Sequence, residues 1–208
     1  MHKMIALYLK EKALEAKSAA TLLTALVGLL AIGGAPAQVL QSPESTSISI
    51  SLVGDHFEVT VPVGHATMLL PQGKFEIQEA KRSGAAASPR YFWLQDKASG
   101  AIVTGWFESA HRVTDPGEML RKSWPKEAAG LSDKGMVPHD IENRTIGAWQ
   151  AITYKITSEK EVSSNIRATQ VVADTWVDLH LSVTRPLSDE STDSEVLKLL
   201  QSLSFRTR

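Results

Sequence analysis

The histidines of this chain are the natural place to look for chemistry: His2, His56, His65, His111, His139 and His180. Asp178 and His180 stand two apart in the run TWVDLHLSV. Residues two apart on a strand share a face, so the pair could supply two metal ligands. No third ligand can be named beside them. Val177, Leu179, Leu181 and Val183 form the alternate apolar set, which makes the polar face of a half-buried strand the simpler role for both residues. No Gly-x-Ser-x-Gly elbow, phosphate-cradling glycine loop, His-Glu-x-x-His helix or calcium loop occurs. Cysteine is absent, which excludes thiol nucleophiles, thiolate metal sites, disulfides and lipid attachment through cysteine. The sequence therefore names no catalytic residue, no metal site and no cofactor. A hydrolase or metal-dependent enzyme assembled from scattered residues such as Glu108, Asp178 and His180 stays open as the alternative reading.

The tryptophans carry more information. Trp93 alternates with Tyr91 and Gln95, Trp106 with Thr104 and Glu108, Trp149 with Thr153 and Lys155, and Trp176 with Asp178 and His180. In these strands the indole falls in the more polar register. If the strands are neighbours with matched faces, one sheet face carries Trp106, Trp149 and Trp176, with Trp93 beside them, amid polar groups. Such a face suits binding, because an indole offers large apolar area and one donor. The weightier account is a roof: a helix starting at Asp115 covers this face and turns the indoles into a second small core, since large aromatics are mostly buried.

The elements that would position these residues can be read from period and punctuation. Ile48, Ile50 and Leu52 alternate, Gly54-Asp55 turns the chain, and Phe57, Val59 and Val61 alternate again up to Pro62, which predicts a hairpin. Extended segments are expected over 66–70 and 75–80. RYFWLQ, the turn DKASG and AIVTGWFES make a clearer hairpin. Asp115, Pro116 and Glu118 form a capping box with proline at the first helical position. That helix is expected to be short, disturbed at Trp124-Pro125 and ended at Gly130. Three antiparallel strands should follow, over TIGAWQAITYKIT, NIRATQVV and TWVDLHLSV. Thr192 and Glu195 then cap a closing helix with Val196, Leu199, Leu200 and Leu203 on one stripe, followed by Phe205. Strands, helix, strands, helix point to an α+β fold, an antiparallel β-sheet sandwiched by helices.

The amino terminus reads as an export signal. Ser18 to Ile32 is uncharged and mostly apolar, four lysines precede it, and Ala35-Pro36-Ala37 offers small residues for cleavage between Ala37 and Gln38. Residues 1–37 are thus expected to be a signal peptide, 38–46 a polar tether and 47–208 a single domain. A retained anchor is the competing reading, but Gly33, Gly34, Pro36, Gln38, Gln41 and Pro43 dilute the apolar run. No stable span is expected after cleavage. The remainder holds 18 Lys plus Arg against 21 Asp plus Glu, too acidic for the positive field that nucleic-acid binding requires.

Three stretches together resemble the PsbP-like and DcrB-like families: FEVTVPVG, RYFWLQDKASGAIVTGWFES, and RATQVVADTWVDLHLSVTRPLSDESTDSEVLKLLQSLSF. The resemblance implies a PsbP-like sheet between helices and a non-enzymatic exported role in the bacterial periplasm: an accessory, assembly, chaperone or inhibitor-like protein binding another envelope protein. It carries over no family site residue.

Overall fold

Turn dipeptides set the register of this fold. The computed structural model describes residues 48–60, 65–78, 91–111, 113–189 and 192–207. The expected signal, its cleavage point at Ala37 and Gln38, the tether and Pro62 lie outside the described residues. The chain divides into two compact units, and the described residues all belong to one of them, Thr46–Ala80 with Pro89–Arg208. Strand β1 (Ser49–Val53) turns through Gly54 (φ 62°) and Asp55 into β2 (His56–Thr60). Next come β3 (Ala66–Pro71), the two-residue β4 (Glu76–Ile77), β5 (Tyr91–Asp96) and β6 (Ala101–Ser109). Helix α1 (Pro116–Ser132) precedes β7 (Pro138–Ile146), β8 (Trp149–Thr157), β9 (Glu161–Val172) and β10 (Thr175–Pro186). Helix α2 (Thr192–Ser202) and β11 (Ser204–Thr207) close the chain. Between β9 and β10, Ala173 (φ 44°) and Asp174 (φ 60°) are both left-handed, as a tight two-residue hairpin turn requires. They lock the two longest strands together from Val172↔Thr175 to Glu161↔Pro186.

All pairings are antiparallel. One sheet has the order β1-β2-β3-β11 and the other β4-β5-β6-β10-β9-β8-β7. Cross-strand partners share a face, so the register sorts every side chain of the larger sheet. Its inner face presents Phe92, Leu94, Val103, Phe107, Leu179, Leu181, Ile166 and Ala168. These pack with Phe57, Val59, Met68 and Leu70 of the smaller sheet and with Val196, Leu200 and Leu203 at the end of the chain. Burying those last three side chains stabilises by about 1.5–3 kcal/mol each before entropy is deducted. Gly105 sits where a Cβ would fall 2.4 Å from Phe92 Cε1 and 2.6 Å from Leu179 Cδ2, so only glycine lets these two side chains meet. Helix α1 lies on the other face, against β8 and β9. The fold is α+β, a seven-stranded antiparallel sheet with α1 on one face and α2, beside the smaller sheet, on the other.

Three expectations need correction. Helix α1 is not short: it runs 17 residues, straight through Pro125 and past Gly130. Trp124 on one side of the proline packs against Tyr154 with the ring planes tilted by 49°, and Glu127 on the other side pairs with Arg167, so tertiary contacts hold both halves. A Cβ at Gly130 would meet nothing within 4 Å; there glycine only weakens the helix. The stop is Gly135 (φ 75°), where Met136 N–H donates to Leu131 O and Gly135 N–H to Ser132 O, the Schellman pattern. Second, the segment 145–157 is not one strand: Gly147 (φ 60°) and Ala148 turn the chain between β7 and β8. Third, the end of the chain is not all helix, because Ser204–Thr207 pairs with β3.

Candidate functional site

The register decides which tryptophans belong together. Trp93 is opposite Thr104, Trp106 is opposite both Tyr91 and Asp178, and Trp176 is opposite Glu108, so all three lie on the outer face of three adjacent strands. Each is offset by two residues from the next, which sets them on a diagonal with about 7–8 Å between neighbouring positions. All three are partly exposed. Trp176 Nε1 donates to Thr169 Oγ1 at 2.6 Å, whereas Trp93 Nε1 is out of solvent and meets no acceptor among the described residues.

Trp149 does not join them. Its strand neighbour Gln150 pairs with Thr169 on the outer face, so Trp149 points the opposite way, into the inner core, where it is 6% exposed and meets Phe205 at 5.8 Å between ring centroids. The polar register around it is real, since Lys155 shares its face. That register faces α2, with Lys155 Nζ 2.9 Å from Asp193 Oδ2. The expectation of one face holding Trp106, Trp149 and Trp176 is therefore corrected. The expected roof exists over only part of the face: α1 packs chiefly on β8 and β9, beside the strands that carry the three indoles.

Beneath α1 the outer face holds a polar cluster that sequence patterns did not bring together. Arg167 is 9% exposed; its Nη2 lies 2.9 Å from both carboxylate oxygens of Asp178, and its Nε is 3.2 Å from Glu127 Oε2. The Glu127 side chain is 7% exposed. One guanidinium thus binds two carboxylates, one from β10 and one from α1. Beside it, Asn165 Nδ2 donates to Ser163 O and turns its Oδ1 toward His180 Nε2 at 3.2 Å, which assigns the ring proton to that nitrogen. Tyr154 Oη is 3.1 Å from the same nitrogen, and its ring runs nearly parallel to the imidazole, with 6.3 Å between centroids. Burial, with the charge of Arg167 adding to it, pushes His180 down to about 4, so the imidazole is neutral at ordinary pH. Burial likewise pushes the Tyr91 phenol up to about 12.

Asp178 and His180 thus share a face, as expected from their spacing, but each has a structural partner: Arg167 for one, Tyr154 and Asn165 for the other. Among the described residues no group of three or more His, Asp or Glu side chains is arranged to hold a metal ion. Glu108, opposite Trp176, lies diagonally across from Asp178 on the same face. The cluster could have been found from sequence by folding β9 onto β10 about Ala173-Asp174, which places Arg167 opposite His180 and Thr169 opposite Asp178. Glu127 had no such signal, because α1 is placed only by packing.

The chain matches no family model and no curated protein. Among the solved structures to which it is similar are two at low identity. One is a protein from Bacteroides thetaiotaomicron, with a TM-score of 0.37 and 11% identity, covering 69% of this chain and 46% of that one. This chain therefore spans less than half the length of that protein. The other is LpqN of Mycobacterium tuberculosis, involved in cell envelope biogenesis, with a TM-score of 0.35 and 16% identity, covering 70% of this chain and 86% of that one. Likenesses at this level name no family. Among the described residues no helix is long and apolar enough to cross a membrane.

Proposed function

We propose that this is a non-enzymatic accessory or assembly protein of the bacterial envelope, exported through the signal in residues 1–37, of a PsbP-like kind. In this reading it holds another envelope protein against the outer face of β5, β6 and β10. One observation carries the proposal. Trp124 and Trp149 are buried, while Trp93, Trp106 and Trp176 are partly exposed, in line, on adjacent strands. Partly exposed indoles on a rigid sheet supply anchor area at low entropic cost. The ionic cluster under α1 pins the neighbouring strands, and the helix seats chiefly on β8 and β9. An enzyme built on Glu108, Asp178 and His180 gains no support from this geometry, because the side chains of Asp178 and His180 are engaged in that cluster.

The test combines accessibility with capture. Acrylamide should quench single-tryptophan forms retaining Trp93, Trp106 or Trp176 more strongly than forms retaining Trp124 or Trp149. Trp106→Ala should weaken capture of the envelope partner by more than about 1 kcal/mol with little change in melting temperature. Uniformly protected indoles, or capture unaffected by replacing all three, would sink the surface. Amino-terminal sequencing of the exported form checks compartment separately, with Gln38 as the expected first residue.

A further inference from the structure

Among the described residues strand β7 has no partner on its outer side and forms one edge of the seven-stranded sheet, and residues 139–145 on it are all exposed. We propose that two copies of this protein pair antiparallel along β7, with the two-fold axis at Asn143, joining their larger sheets into one. This surface is separate from the indole face and does not depend on it.

The hairpin geometry settles which backbone groups are available. Ile146 and Trp149 flank the two-residue turn Gly147-Ala148, and such a closing pair exchanges both its hydrogen bonds. Pairs alternate from there, so Arg144 and Glu142 also turn their N–H and C=O toward β8. Asn143 and Thr145 turn theirs outward, and so does the Ile141 carbonyl, because the Glu142 N–H across the same peptide points inward. A second β7 must therefore meet this edge through the same outward set.

Charge then selects one register. With Asn143 opposite Asn143 of the second copy, each Glu142 faces an Arg144 on the inner side, and each Thr145 N–H reaches an Ile141 carbonyl. Sliding by two residues either way puts Glu142 against Glu142 or Arg144 against Arg144. Charged residues on an edge strand ordinarily discourage pairing. Here their order along the strand, Glu-Asn-Arg, discourages every outward-matched neighbour except the self-complementary one. Arg144 Nε and Glu142 Oε2 are already 2.9 Å apart within one strand, so pairing would close a ring of four alternating charges. The ends fit as well. Beyond Ile141 the register shifts between His139 and Glu142, with Asp140 at φ 51°, and beyond Thr145 the hairpin turns; each copy's bulge meets the other's turn, and the ladder stops. Helix α1 does not obstruct it. Helices above β8 in each copy would stand three strand spacings apart, about 14 Å, beyond the 8–10 Å of helix contact. An interface that meets itself across a two-fold axis is the commonest form of oligomer.

The test is sedimentation of the protein as recovered from expressing cells, over a wide concentration range, with charge-reversed variants. Wild type should dimerise. Glu142→Arg and Arg144→Glu should each weaken the dimer by at least about tenfold, since like charges then face each other across the axis. An equimolar mixture of these two variants should recover association, because one then offers two cations where the other offers two anions. Asn143→Pro, which removes an outward N–H without touching the bonds to β8, should also give monomer. A wild type that stays monomeric throughout, a dimer indifferent to either reversal, or variants that fail to associate when mixed would overturn the proposal.

Discussion

Replacing Arg167 by leucine removes the guanidinium that faces two carboxylates from different elements. Glu127 comes from α1 and is nearly out of solvent, at 7% side-chain exposure; Asp178 comes from β10 at 20%. Taking away one partner of a buried ion pair typically costs about 3–5 kcal/mol, whereas removing both partners together is often close to neutral. Asp178 can still borrow solvent, so most of the penalty falls on Glu127 and on the seating of α1. The single variant should therefore lose about 3–5 kcal/mol in urea unfolding at pH 7, and the double variant Arg167→Leu with Glu127→Leu should recover more than half of that. Acid should also help the single variant relative to wild type, because protonating a buried carboxylate that has lost its guanidinium relieves part of the penalty. A loss under about 1 kcal/mol, or an equal loss in single and double variants that ignores pH, would refute the view that this pair clamps α1 to the sheet.

Three further outcomes follow from the same geometry. His180 is held at about 4 against an ordinary 6.5, so the unfolded chain binds the extra proton first; this contribution is full above pH 6.5 and is lost as pH falls toward 4. Urea unfolding between pH 7 and 4.5 should show up to about 3 kcal/mol of such loss in wild type and a shallower slope in His180→Gln. Gly130→Ala should raise stability by up to about 1 kcal/mol, as a half-buried helical glycine with open space where a Cβ would go, while Gly135→Ala should lower it by about 1–2 kcal/mol through its left-handed backbone; thermal melts separate the two signs. Leu200→Ala should cost about 2–5 kcal/mol in chemical denaturation, since Leu200 is fully buried in the inner core.

Much of this protein is legible in its residues because strands with one dry and one wet face advertise themselves. The alternation of Val177, Leu179, Leu181 and Val183 with Asp178, His180 and Ser182 sorts β10 into two faces by period alone. The hairpins turning at Gly54-Asp55 and Ala173-Asp174, the Asp115 cap and the apolar stripe of α2 are all local signals, and each is found where local chemistry puts it. β7 is the counterexample. Both its faces are wet, so PHDIENRTI carries no period, and an edge strand of this kind is invisible without its partner. The fate of Trp149 is of the same sort. Polar neighbours at Thr153 and Lys155 marked its register as an outer one, but α2 supplies Asp193 to Lys155, so a polar register can face inward wherever a second element brings the matching charge. Pro125 and Gly130 would end an isolated helix, yet α1 continues because Trp124 and Glu127 are anchored on either side of the proline by β8 and β9. Sequence by itself determined periods, caps and turns, which depend on neighbours along the chain. Which face each strand shows to which element was decided only by tertiary structure, because that depends on groups far apart in sequence competing for the same buried space.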